Sequence, residues 1–257
     1  ALFRSGLNTT DLYDSTGSAI INGQVIKEQD DRAFGWINYN MALADSSNAY
    51  FATFGVQAGD KKFLSATKGF GFGQKIPFEL DVPISSITKA ADIPAELTTN
   101  LLAASAFGQG EVLVTPFHMA LITAGIANHG VIMTPHLVER VLDPTQTLIF
   151  EQKPQPWLTA LSKEEADKIT SAMVTAVTDG TASPGAIPNV QVAAKTGSAE
   201  PGGNVKTHGW YIAFAPAEAP RIAIAVIVEN GGTGGGAAAP IARQIMQEAL
   251  SQKVGDK

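Results

Sequence analysis

Two apolar runs near the end of the chain, Gly209 to Ala215 and Arg221 to Val228, are separated only by the short segment from Pro216 to Pro220. A parallel crossover needs a dozen or more residues, so so short a link forces the two runs to pair antiparallel as neighbours. A third strand-like run, Val190 to Ala194, precedes them. An amphipathic helix with Ile241, Ala242, Ile245, Met246, Ala249 and Leu250 on its apolar face follows. The expected fold class is therefore α/β, an antiparallel sheet flanked by helices on both faces. The longest apolar run, Ile222 to Val228, is far too short to cross a bilayer.

Upstream, Thr115-Pro116 supplies an N-cap and an N1 proline for an apolar helix that stops near His129-Gly130. Ser162 and Glu165 form a capping box ahead of Ala166, Ile169, Met173, Val174 and Val177 at helical spacing. Ile20 to Ile26 alternates around Asn22-Gly23, a two-residue hairpin signal. Tyr39 to Phe54 has helical character, but Asp45, Ser46, Ser47 and Asn48 interrupt it. Such residues compete with helix hydrogen bonding, so the interruption predicts a broken helix facing a cleft.

No repeat or low-complexity linker divides the 257 residues, and one domain over 1–257 is expected. The absence of cysteine excludes disulfide scaffolds, thiolate metal sites and cysteine nucleophiles. A net charge of −6 argues against binding a nucleic-acid backbone. Chemistry must then run on oxygen and nitrogen. The sharpest candidate is Lys195-Thr196-Gly197-Ser198, expected as a turn ending the apolar strand. It sets an ammonium and two hydroxyls beside a glycine that lets a ligand approach the backbone. Lysine and hydroxyl together suit a carboxylate, and a neighbouring N–H suits a developing oxyanion.

Lys195-Thr196-Gly197 and Ser46-Ser47-Asn48 are two of the three signatures of penicillin-interacting serine enzymes. Between them lie Phe107-Gly108-Gln109-Gly110, Val114-Thr115-Pro116 and Ala127-Asn128-His129-Gly130, and Trp210 to Pro216 follows. In order and spacing the chain resembles the transpeptidase domain of class B penicillin-binding proteins. The resemblance implies a penicillin-binding, serine β-lactamase-like transpeptidase fold. It also implies cross-linking of peptidoglycan stem peptides ending in D-Ala-D-Ala, and trapping by β-lactam antibiotics. By the same resemblance Ser46 and Lys195 relay protons, Asn48 binds the ligand amide, and Thr196 binds its carboxylate. Gly197 lets the ligand approach, and the Ser198 N–H forms half of an oxyanion hole. No cofactor, metal or nucleic acid is expected. A glycosyltransferase or other wall-assembly protein is the implied partner, at the extracytoplasmic face of a bacterial membrane.

One departure stands out. The family's acylated serine and its base belong to a Ser-x-x-Lys ahead of Ser-x-Asn, and nothing before Ser46 fits. Ser65 to Lys68 and Ser86 to Lys89 match the spacing but follow Ser46. Ala1 to Leu7 resembles the last turn of the missing helix, so the nucleophile is expected upstream of Ala1, on an anchored parent protein. His118 is expected to be structural, and His208 to rim the cleft without acting as a base. Phe70 and Phe72 are expected at a packing corner, and Gly231 to Gly236 as a flexible link. The alternatives are a D,D-carboxypeptidase or β-lactamase, a non-catalytic wall-assembly or β-lactam-sensing module, and a fragment that folds poorly.

Overall fold

A computed structural model describes residues 1–89, 93–203 and 205–252. Phe3–Ser5 form a 3-10 turn closed by Gly6. Strand β1 (Tyr13–Ser15) is followed by β2 (Ser18–Ile21) and β3 (Gln24–Lys27), which form the expected hairpin. Its turn places Asn22 and Gly23 at φ of 48° and 78°, the left-handed pair that matches the twist of the flanking strands. Strand β4 (Gly35–Ile37) returns to pair with β1, Tyr13 opposite Ile37. Four helices follow: α1 (Tyr39–Ala44), α2 (Asn48–Ala58), α3 (Asp60–Gly69) and α4 (Thr99–Ala106). Their interior is held by Ile37, Tyr39 and Tyr50 on one side and by Leu64, Ile87 and Leu102 on the other.

Helix α5 (Pro116–Ala127) starts where the sequence indicates, with the Thr115 hydroxyl accepting from His118 N. Short strands β5 (Val131–Met133), β6 (Arg140–Leu142), β7 (Leu148–Glu151) and β8 (Pro156–Thr159) form two hairpin-like pairs, β5 with β8 and β6 with β7. Helix α6 (Lys163–Thr178) carries the complete Ser162–Glu165 capping box. The principal sheet has the order β11-β10-β9, all antiparallel, from β9 (Ala193–Ala199), β10 (His208–Ala215) and β11 (Ile222–Val228). Helix α7 (Ala239–Ser251) ends the described chain.

Alternation along the strands sorts their side chains to opposite faces. Ala193 and Phe214 pack with Ile122 of α5 and Met173 of α6, while Ala194, Tyr211, Ala213 and Ala215 pack with Ala239, Ala242 and Met246 of α7. Helices therefore cover both faces, as the α/β expectation required.

Three local expectations need correction. The third strand does not span Val190 to Ala194 and end in a turn; it begins at Ala193 and runs through the Lys-Thr-Gly-Ser residues. Lys195 pairs with Ile212 and Gly197 with Trp210, so ladder bonding to β10 holds the polar tetrad extended. On α7, Ile241 and Ile245 are 43% and 47% exposed. The helix docks instead on a narrower stripe of Ala239, Ala242 and Met246, whose small side chains allow close approach. The glycine-rich link is no loose connection either: Gly234–Ala238 form a π-helical turn. A Cβ on Gly234 would lie 2.1 Å from Trp210 O and 2.6 Å from Gly197 O, so this turn presses backbone to backbone on the paired strands β10 and β9.

Candidate active site

The Ser46-Ser47-Asn48 triplet is the break between α1 and α2, and each residue has a separate duty there. Ser46 N donates to Leu43 O at 3.2 Å and Ser47 N to Ala42 O at 2.9 Å. This is the Schellman closure of α1, with Ser46 at the left-handed position that glycine usually fills, φ 61°. Ser47 is the N-cap of α2, its hydroxyl accepting from Tyr50 N at 3.1 Å. Asn48 opens α2 and donates from Nδ2 to Lys27 O at 2.9 Å. The polar interruption in the sequence is thus a stop signal followed directly by a start signal, and the join turns the Ser46 hydroxyl outward from both helices.

That hydroxyl meets β9. Lys195 Nζ donates to Ser46 Oγ and to Thr196 O, both at 2.7 Å, bringing together two motifs 149 residues apart in sequence. Among the described residues no carboxylate forms an ion pair with Lys195, and burial pulls its ammonium down to about 8. Beside it the Thr196 and Thr181 hydroxyls lie 2.7 Å apart, and Thr181 Oγ1 donates to Ala44 O at 3.2 Å. From the far wall, Gln109 Nε2 donates to Ser198 O at 3.2 Å.

Strand pairing fixes which way the backbone faces. In an antiparallel ladder a residue's N–H and C=O point to the same side, alternating along the strand. Thr196 O and Ser198 O both bond to side chains away from β10, so the Ser198 N–H also faces the open edge of β9. The motif therefore offers an ammonium, two hydroxyls and an unspent backbone N–H along one groove. Such a set can bind a carboxylate, pair with an extended peptide and stabilise an oxyanion.

Ser46 and Lys195 are thus brought into direct contact, with Thr196, Gly197 and Ser198 continuing along β9 and Asn48 two residues beyond Ser46 at the start of α2, its side chain held by Lys27 O. The two later Ser-x-x-Lys matches are not part of that assembly. Ser65 and Lys68 are exposed on α3. Ser86 is bridged to Leu113 through both its backbone N–H and C=O at 2.8 Å. His118 is buried, its Nε2 paired with Phe70 O at 2.8 Å, and burial lowers its pKa. His208 Nδ1 accepts from Asn230 N at 3.0 Å. Phe70 and Phe72 pack against the core around Ile122, as a packing corner should.

Three residues at or behind the groove were given no role by the sequence reading. Gln109 figured only as part of a stretch that carries the family resemblance, with no role of its own, and Thr181 sat in an ordinary Asp-Gly-Thr helix exit. Glu28 was one acidic residue after a hairpin, where a solvated position is the default expectation.

The family model described as the penicillin binding protein transpeptidase domain matches residues 1–247. Among curated proteins, the peptidoglycan D,D-transpeptidase PbpA of Mycolicibacterium smegmatis is 38% identical over 225 residues, covering 84% of this chain and 44% of that protein. Penicillin-binding protein A from M. tuberculosis, solved as a ceftriaxone acyl-enzyme complex, superposes with a TM-score of 0.88 at 33% identity, over 98% of this chain and 58% of that one. The D,D-transpeptidase domain of a peptidoglycan glycosyltransferase from Eggerthella lenta gives 0.87 at 30% identity, covering 97% and 62%. The chain spans less than half the length of the curated relative it matches.

Proposed function

Since the chain belongs to the penicillin-binding protein transpeptidase family, we propose that it forms the substrate-binding wall of a serine D,D-transpeptidase that cross-links peptidoglycan stem peptides. The observation that carries this reading is the 2.7 Å contact between Lys195 Nζ and Ser46 Oγ, which joins the two motifs across the groove. The acylated serine and its lysine base are proposed to lie on polypeptide outside residues 1–257. In support, Ser65 is exposed on α3 and Ser86 is tied into a backbone bridge, and neither hydrogen-bonds to Ser46, Asn48 or Lys195 among the described residues.

In the reaction, the serine oxygen attacks the carbonyl of the penultimate D-alanine. The negative charge that develops on the carbonyl oxygen is met by the Ser198 N–H, with the nucleophile's own N–H completing the hole. The C–N bond to the terminal D-alanine breaks, and the serine proton, taken up by the lysine base, reaches the departing amine through the Ser46 hydroxyl, which Lys195 holds in place. An amine from a neighbouring stem peptide then attacks the ester, and the serine oxygen leaves and regains a proton. Thr196 and the Lys195 ammonium hold the terminal carboxylate, while Asn48 bonds to the peptide amide. A β-lactam follows the first half only: its ring amide opens, and the leaving nitrogen stays tethered.

The substrate sits outside the cytoplasmic membrane, so the parent protein is proposed to work at the extracytoplasmic face, held by an anchor and beside a glycosyltransferase. Among the described residues no helix is long and apolar enough to cross a membrane.

Incubation of the chain with ampicillin, followed by intact-mass measurement and ligand-observed NMR, tests the assignment. The expected result is reversible binding with unchanged mass. Binding should weaken as pH rises through about 8, where Lys195 loses its charge. Lys195→Met should weaken it about tenfold at neutral pH. A stoichiometric adduct would overturn the assignment of the nucleophile to other polypeptide. Equal affinity in Lys195→Met would overturn the ligand site.

A further inference from the structure

Glu28, directly after β3, is 3% exposed and has no basic partner among the described residues. Its carboxylate instead receives four hydrogen-bond donors. Oε1 accepts from Ser47 Oγ at 2.5 Å, from Ser15 Oγ at 3.1 Å and from Ala49 N at 3.3 Å. Oε2 accepts from Asn48 N at 2.6 Å. The preceding residue completes the grip, since Lys27 O accepts from Asn48 Nδ2. The end of β3 thus holds Asn48 by both its backbone and its side chain.

We propose that Glu28 is the positioning residue of this groove, fixing Ser46 opposite Lys195 by clamping Ser47 and Asn48 in the first turn of α2. Ser46 stands in a left-handed conformation between two anchors. The closure of α1 fixes it from one side, and Ser47 and Asn48 fix it from the other. Only the second anchor passes through a side chain remote in sequence. Without it, Ser47 and Asn48 can rotate about the break, and the Ser46 hydroxyl moves with them.

The chemistry requires a carboxylate. All four groups around Glu28 can donate, and two are backbone amides that cannot do otherwise. An amide side chain offers a single acceptor oxygen. With that oxygen at the Oε1 position, the NH2 group opposes the Asn48 N–H; with the amide flipped, it opposes the Ala49 N–H. Either orientation leaves one N–H of α2 unpaired, whereas the ionised carboxylate satisfies both.

The proposal concerns the chain's own geometry and rests on the transpeptidase reading only for its ligand measurement. The test compares Glu28→Gln, Glu28→Asp and the control Ser15→Ala in the 257-residue chain. Ser15 contacts the same carboxylate from β1, remote from the groove, so its loss lowers Tm without moving the α2 junction. The readouts are Tm, the NMR titration of the Lys195 ε-amine, and ampicillin affinity. Loss of the Ser46 acceptor removes a bond to the charged amine, so in Glu28→Gln the Lys195 midpoint should fall by about half a unit. Glu28→Asp, which keeps the charge with shorter reach, should fall between Glu28→Gln and the parent chain, and it carries the test if the amide variant does not fold. Ser15→Ala should leave the midpoint unchanged. Ampicillin should bind about tenfold more weakly to Glu28→Gln and within about twofold of normal to Ser15→Ala. An unmoved Lys195 midpoint in the Glu28 variants, or an equal shift in Ser15→Ala, overturns the positioning role. Failure of the parent chain to bind ampicillin overturns the ligand reading instead, with the Lys195 titration still deciding for or against Glu28.

Discussion

At φ 61°, Ser46 holds a backbone conformation that costs an L-residue roughly 1–2 kcal/mol relative to the right-handed helix. Glycine would close α1 without that strain, but it would bring no hydroxyl to Lys195. The groove keeps the strained residue. Ser46→Gly and Ser46→Ala both remove the hydroxyl, and only the second retains the Cβ. Ser46→Gly should therefore be the more stable of the two by about 1 kcal/mol in thermal unfolding, while both lose ligand affinity equally. At this scale the sequence was legible where a residue's type was unusual for its place, as with Ser46 and Asn48 inside an apolar helix. It was silent at Glu28, whose burial comes from contacts with β1 and α2 that no local pattern encodes.

Elements were legible where their ends carry chemistry. The Thr115 cap, the Ser162–Glu165 box and the Asn22-Gly23 turn each act within a few residues, so the chain states them directly. The course of β9 was not, because polar residues and a glycine look like a turn until β10 is laid beside them. What keeps the tetrad extended is tertiary: ladder pairing on one edge and the Gly234 turn against one face. Gly234→Ala tests this dependence. The added methyl would meet Trp210 O and Gly197 O well inside contact distance, so destabilisation of about 2 kcal/mol or more is expected in denaturant unfolding. Selective loss of amide protection along residues 195–199 in hydrogen exchange would place the damage in β9. A change in stability within about 0.5 kcal/mol of the parent would show that the turn is not a support.

For the whole molecule, the aliphatic strand that constrained the fold most has a second aspect. Strand β11 pairs with β10 alone among the described residues, so the backbone along its outer edge is open. By the alternation that turns Thr196 and Ser198 outward on β9, the groups of Ala223, Ala225 and Ile227 face that open side. An apolar edge of this length is a template for strand addition. The chain should therefore associate with rising concentration in sedimentation velocity. Ala225→Pro, which removes an outward N–H and no ladder bond, should reduce that association without abolishing the fold. Association undiminished by the proline would point to another surface.

Three hydrogen bonds cross the groove: Lys195 to Ser46, Thr181 to Ala44, and Gln109 to Ser198. The last is made by an atom that an extended ligand would also seek. In calorimetric terms, occupying that position is an exchange, one amide donor leaving the Ser198 carbonyl as another arrives. The polar heat of binding there nearly cancels. Discrimination between ligands then falls to how well each one reproduces the reach and angle of the departing glutamine.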